Sequence, residues 1–443
     1  MTIRVGTASP HTQATTKLTL AHLEGIARRA ADRGVDILLL PEAFIGGYPR
    51  NTTFGAVVGS RSAEGRESFA QYFEKAVDLG DTVGEGSAGA GLRWVRRQLP
   101  GYEEGGKGRG DGTREELERI ARETGVFLVV GCIEKAGGSL WCSVPYVCPR
   151  EGVIGKRRKV KPTGTERIMW AEGHPSTLRA VSTVIRGQRV NLAAAICWEN
   201  YMPLLRQALY NQNINLYLAP TADGREGWLS AMRTIGIEGR CFVVSSNMCV
   251  PAAANAHMSL PSDAGLAAMA ALGDRDVVPN DGGSRRGFGT AAGSSAGAEG
   301  ARNASPPSPS RARHGRRKSV FDEDGNEIVL SCPAENGDAA QAEQQQQQQQ
   351  QHLPRVQEQE TSEQSQQKKS AAYLSRGGSA VISPFGDVVA GPQWEDSDNL
   401  LYADIDLRDC IRGRLDMDTA ASYARNDSFK LTVDGLDFDP LPY

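Results

Sequence analysis

From Pro251 to Ala372 the chain abandons any pattern that could build a core. It turns Ala/Gly/Ser-rich, then basic from Arg311 to Lys318, then glutamine-rich with an unbroken run from Gln344 to Gln351. Such a composition buries too little apolar surface to offset chain entropy, and residues 251–372 are expected to form a disordered, low-complexity insert. Any folded domain must therefore be discontinuous, assembled from 1–250 and 373–443. Within the insert only Ser319–Leu330 (SVFDEDGNEIVL) has apolar ends around a DGN turn. It fits a hairpin, a short docking strand or one more solvated stretch.

The two flanks alternate short apolar runs with helical patterns, the signature of an α/β fold. Strands are expected at Ile3–Ala8, Val35–Leu40, Val126–Glu134, Trp141–Cys148, Val190–Ile196, Ile214–Ala219, Phe242–Asn247, Ser379–Ser383 and Leu400–Asp406. Helices are expected at Ala14–Arg33, Arg114–Glu123, Pro203–Asn211 and Glu226–Arg240, and a hairpin around Pro384-Phe385-Gly386. The run VDILLL is continuous rather than alternating, as for a strand covered on both faces.

The charge balance, 50 Lys+Arg against 53 Asp+Glu, gives no footprint for a nucleic-acid or anionic-membrane partner. No run approaches the roughly 20 apolar residues of a membrane helix. The opening MTIRVGTASPHTQ lacks the charged and apolar regions of a signal peptide. Eight cysteines at irregular spacing, with no CxxC, read as reduced thiols, so a cytoplasmic protein is expected. No HExxH or comparable metal spacing occurs, and Gly287-x-Gly289-x-x-Ala292 lies in the insert with no strand before it.

Functional groups in α/β sheets gather beyond the carboxyl ends of strands, and three such ends stand out. Glu42 follows six residues of buried strand, so it is either desolvated and partnered by a cation, suiting acid–base work, or merely caps the next turn. GKRRKVKPTGTER holds Lys156, Arg157, Arg158, Lys159 and Lys161 with Glu166 close behind; taken alone it reads as a solvated basic loop, with a Lys159–Glu166 pair conceivable. Cys197 ends an apolar strand where a helix begins near Tyr201, a place that favours thiolate, although a small core cysteine fits as well. None of the six histidines lies at a comparable strand end, so the base for a cysteine nucleophile would be a carboxylate.

PEAFIGGYP, KRRKVKPTGTER and AAAICWENYMP together resemble the three active-site segments of the nitrilase branch of the carbon–nitrogen hydrolases, of the fungal nitrilase and cyanide-hydratase type. The resemblance extends over VDLGDT, GDGTREELERIARETGVFLVVG, RGGSAVISPFGDVVAGP and LDMDTAASYARNDSF, nearly all of the chain outside the insert. It implies a four-layer α-β-β-α sandwich with Glu42, Lys159, Cys197 and a supporting Glu166 as catalytic residues. It implies a pocket touching Tyr48, Trp170, Trp198 and Glu199, no cofactor or metal, a small-molecule nitrile as substrate and a homo-oligomer, dimeric or spiral. Nitrilases commonly carry His-Arg-Lys where this chain has Arg157-Arg158-Lys159, which changes the hydrogen bonding beside the lysine. Alternatives remain: a cyanide hydratase stopping at formamide, an amidase of the same superfamily, or a catalytically silent scaffold whose insert binds a partner.

Overall fold

A computed structural model describes residues 2–80, 110–225, 227–252, 318–321, 327–330, 372–438 and 440–443. Residues 1–275 with 365–443 form one compact unit and residues 276–364 another.

In the first unit, one seven-stranded sheet contains β1 (Ile3–Ala8), β2 (Ile37–Leu39), β3 (Phe127–Val129), β4 (Cys132–Ala136), β5 (Ser139–Cys148) and β6 (Gly152–Arg158). The other contains β7 (Val181–Ile185), β8 (Gln188–Ala194), β9 (Leu216–Thr221), β10 (Phe242–Asn247), β11 (Cys249–Pro251), β12 (Tyr373–Ile382) and β13 (Val388–Trp394). The last strand, β14 (Leu400–Ile405), returns to the first sheet and pairs antiparallel with β1. The orders are β14-β1-β2-β3-β5-β4, with β6 on the far edge of β5, and β11-β12-β10-β9-β8-β7, with β13 on β12. The centres of both sheets, β1-β2-β3 and β8-β9-β10, are parallel.

Strand periodicity explains the unbroken VDILLL run. Ile37 and Leu39 point between the two sheets, where they join Val5, Val129, Leu192, Leu218, Val244 and Val381. Leu38 and Leu40 point the other way, against α1 (Thr16–Asp32) and α2 (Thr113–Thr124), through Leu23, Ile26, Leu117 and Ile120. The outer face of the second sheet is covered by α3 (Pro203–Tyr210) and α4 (Gly227–Gly239) through Leu209, Met232 and Ile235. These are the four layers of an α-β-β-α sandwich. Thr15 caps α1 by accepting the Leu18 N–H, and Gly125 at φ +71° closes α2.

Two expectations are corrected. Val126–Glu134 is not one strand: it breaks at Val130-Gly131, where a neighbouring loop is seated. The basic segment is not a solvated loop; Gly152–Arg158 is a strand, and its cations are buried. The strand β7 and a 13-residue α-helix at Ala63–Lys75 lacked a clear signal in the sequence.

In the second unit the described residues are two antiparallel strands, Lys318–Phe321 and Glu327–Leu330, paired with each other from Lys318↔Leu330 to Phe321↔Glu327. This is the hairpin among the readings of SVFDEDGNEIVL. The rest of the expected insert, between Ala252 and Ala372, lies outside the described residues. Its two ends do not: β11 and β12 pair antiparallel, and the Ala252 N–H donates to the Ala372 carbonyl at 2.9 Å. The chain thus leaves and re-enters the sheet at neighbouring points. Deleting Ala254–Gln367 and closing the gap with a short Gly/Ser link is expected to leave a folded, soluble chain. Closing a shorter loop costs about 0.6 kcal/mol less per halving of length. Equilibrium unfolding of the shortened chain checks this, and loss of more than about 2 kcal/mol would make the segment structural.

Candidate active site

The loop carrying Glu42 is held by the break in the neighbouring strand. The Leu40 N–H donates to Val129 O (2.9 Å), Ile45 N–H to Gly131 O (3.0 Å) and Ile133 N–H to Ile45 O (2.8 Å). Gly131 backs directly onto Pro41 and Glu42; a Cβ there would lie 2.0 Å from Pro41 O, so the close approach requires glycine. The turn continues through Ala43 at φ +53°, and Glu42 ends fully buried between the sheets' carboxyl ends.

The basic strand supplies the second group. Its side chains alternate in direction and each finds a carboxylate. Lys156 and Arg158 both bond Glu134, which also accepts from Ser143 (2.7 Å). Arg157, on the opposite face, bonds Glu199. Lys159, just past the strand, donates to Glu42 Oε1 at 2.8 Å and to Glu166 Oε2 at 2.7 Å. Glu166 sits in a short 3₁₀ turn, Gly164–Ile168, accepting from the Thr163 N–H (2.8 Å) and, on Oε1, from the Tyr48 hydroxyl (2.8 Å).

The third group follows β8. The chain turns sharply at Cys197, φ +53°, into a 3₁₀ turn, Cys197–Tyr201, and α3 begins only at Pro203. Asn200 brackets the turn by donating to Ala195 O (2.9 Å) and Cys197 O (2.6 Å), and the Thr221 hydroxyl donates to the Cys197 sulfur at 3.2 Å. The non-glycine left-handed conformation is a strained one that such brackets maintain.

Electrostatics divide the labour among these groups. Burial pushes the Glu42 pKa up and Glu166 adds to it, against the pull of Lys159. Burial alone would lower Lys159, but Glu42, Cys197 and their neighbours outweigh it and hold the ammonium charged. Burial, then the Glu42 charge, push the Cys197 thiol well above the ordinary range. The resting group is therefore a thiol, not the thiolate expected from a helix terminus, and a base must remove its proton. Glu42 Oε1 is occupied by Lys159, with the Cys142 thiol at 3.5 Å; Oε2 is buried with no hydrogen-bond partner.

A cavity of about 260 Å³ opens over Cys197, lined by Tyr48, Glu166, Trp198, Ala222 and Asp223 among others. Tyr48 and Trp198 lie where a pocket was expected. Trp170 and Glu199 do not line this cavity. Trp170 is buried beneath the site, edge-on to Tyr48, with its Nε1 donating to the Tyr72 hydroxyl (3.1 Å). Glu199 is fully buried behind the cysteine: Oε2 accepts from the Ile196 N–H (2.9 Å) and Arg157, and Oε1 from the Val160 N–H. It ties the segment entering Cys197 to the one leaving Lys159. Glu199→Gln, which strands a buried guanidinium, is expected to cost about 3–5 kcal/mol of stability, measurable by denaturant unfolding.

Sequence reading did not single out Thr221, Asp223 or Arg50 as individual residues. The first two stand at the end of another apolar strand, LYLAPTAD, where the same strand-end rule would have found them.

Residues 2–278 match the carbon–nitrogen hydrolase family. The chain is 31% identical to a nitrilase of Bradyrhizobium diazoefficiens over 92% of its length and 84% of that protein's. It is likewise 31% identical to an arylacetonitrilase of Trametes versicolor, over 94% and 91%, and to nitrilase 1 of Arabidopsis thaliana, over 94% and 82%. Among solved structures, a carbon–nitrogen hydrolase from Helicobacter pylori superposes with a TM-score of 0.50 at 13% identity, over 97% of each chain.

Proposed function

Since the chain belongs to the nitrilase branch of the carbon–nitrogen hydrolases, we propose that it converts organic nitriles and two waters to carboxylic acids and ammonia through a covalent intermediate on Cys197. The observation that carries this reading is the position of Lys159. Its ammonium bridges Glu42 and Glu166 beside a buried thiol, while Glu42 keeps one oxygen free of partners.

A nitrile carbon is a poor electrophile and calls for sulfur rather than a hydroxyl. In the proposed sequence Glu42 accepts the Cys197 proton as sulfur attacks, and passes it to the nitrile nitrogen, giving a thioimidate. Glu42 then takes a proton from water as its oxygen adds to the same carbon and passes it to the nitrogen. As the C–N bond breaks, Glu42 relays the remaining hydroxyl proton to the departing nitrogen, so ammonia is released and a thioester remains. A second water, activated in the same way, breaks the C–S bond and releases the acid with the thiol restored. Lys159 and the backbone N–H of Trp198 stabilise the charge that develops on nitrogen and then on oxygen. Glu166 positions Lys159, and Tyr48 in turn positions Glu166.

Ammonia release from benzonitrile, phenylacetonitrile, a dinitrile and cyanide, with acid and amide products separated, tests the proposal. Acid and ammonia in equal amounts are expected. Formamide from cyanide without ammonia would indicate a cyanide hydratase, ammonia from amides alone an amidase, and no turnover of any of them a silent scaffold.

A further inference from the structure

Among the described residues, the fully buried cations around the site are all matched to glutamates, and one half-buried cation is not. Lys156, Arg157, Arg158 and Lys159 each sit on a carboxylate. Arg50, two residues after Tyr48, makes no ion pair among the described residues. Its guanidinium lies over the Tyr48 ring, 5.0 Å from the centroid, and Nη2 donates to Ala222 O at 2.8 Å. Its Nε is buried with no partner. A guanidinium stays charged at any ordinary pH, and this half-buried one, facing a cavity, keeps donor capacity that no carboxylate of the described residues uses.

Its surroundings show where that ligand would come from. Arg50 lines a second cavity of about 470 Å³ with Asn51, Thr52 and Thr53. Tyr48, Thr165 and Glu166 line both this cavity and the one over Cys197, so the two adjoin. Ala222, whose carbonyl holds Arg50, is on the wall of the cysteine cavity. The acids that line the two cavities are already engaged. Asp223 is paired with Arg225 (2.8 Å) and accepts from Trp198 Nε1 (2.9 Å), and both oxygens of Glu166 are taken by Tyr48, Lys159 and Thr163.

Building on the nitrilase reading, we propose that Arg50 receives a carboxylate carried by the substrate at the end remote from its nitrile, making a cyanocarboxylate the preferred substrate class. The planar guanidinium suits a carboxylate, and charge-assisted hydrogen bonds of this kind are the strong ones.

The test compares 4-cyanobutanoate with hexanenitrile, a neutral nitrile of similar length, in the full-length chain, Arg50→Gln and Arg50→Lys. The unaltered chain is expected to favour the acid. Arg50→Gln should lower kcat/KM for the acid by about 10- to 100-fold, mainly through KM, with a much smaller change for hexanenitrile and partial recovery in Arg50→Lys. Equal use of both nitriles by the unaltered chain, or equal loss on both in Arg50→Gln, would reduce Arg50 to a support for Tyr48 and the Ala222 loop.

A second measurement needs no turnover. Glutarate should protect Cys197 from alkylation by iodoacetamide, read by mass spectrometry, in the unaltered chain and less in Arg50→Lys; absence of protection in the unaltered chain overturns the anion site. Protection without turnover of any nitrile would sink the nitrilase reading and leave the anion site standing. Should Arg50→Gln fail to fold, the lysine variant and the glutarate experiment still decide the matter.

Discussion

Cys197→Ser is expected to lower nitrile turnover by at least about 10⁴-fold with the unfolding transition nearly unchanged. The substitution removes little volume from a site bracketed by Asn200 and Thr221, so the turn at Cys197 should persist. What it removes is a nucleophile strong enough for a nitrile carbon. A serine hydroxyl is harder to deprotonate than a thiol, and Glu42 is a weak base for it. Steady-state rates on the best nitrile, with intact-mass spectra to detect an adduct on the unaltered enzyme, are the measurements. A variant that retains a tenth of the rate would remove Cys197 from the role of nucleophile.

Glu42→Gln is expected to cost about 10³–10⁴-fold in kcat, with KM changed far less. Positioned general bases contribute on the order of 10²–10⁴-fold, and here one carboxylate serves in several successive steps. The amide can still meet Lys159 only through its oxygen, and it accepts no proton from Cys197. The pH profile supplies an independent sign. A proton on Glu42 blocks attack, so activity falls as pH drops through the Glu42 pKa. Because burial raises that pKa, the acid limb lies above the ordinary carboxylate range. The residual rate of Glu42→Gln should lack this limb. A variant with the same limb would assign the titration to another group.

The strand-end rule found Glu42 and Cys197 because each follows an apolar run that must be buried, and the alternation of strands and helices made the α/β class legible. The basic strand was not legible. Its cations are neutralised by glutamates distant in sequence, Lys156 by Glu134 at a separation of 22 residues, Arg157 by Glu199 at 42 and Lys159 by Glu42 at 117. No local pattern announces such pairings, so the segment had the composition of a solvated loop. Glu199 misled in the opposite sense: its place beside the cysteine suggested the pocket, but the short turn points its carboxylate backwards onto Arg157 and the backbone. The break at Gly131 was hidden because Phe127–Glu134 is apolar enough to be a single strand.

The burial of Lys156–Lys159 also bears on how the chain is cut. These are four consecutive trypsin sites, each at most 3% exposed in the folded protein. A protease reaches them only when β6 leaves the sheet and four charges part from four glutamates at once. Cleavage there follows the population of the opened chain, so a tryptic cut within this stretch reports molecules that have come apart and spares those that have not.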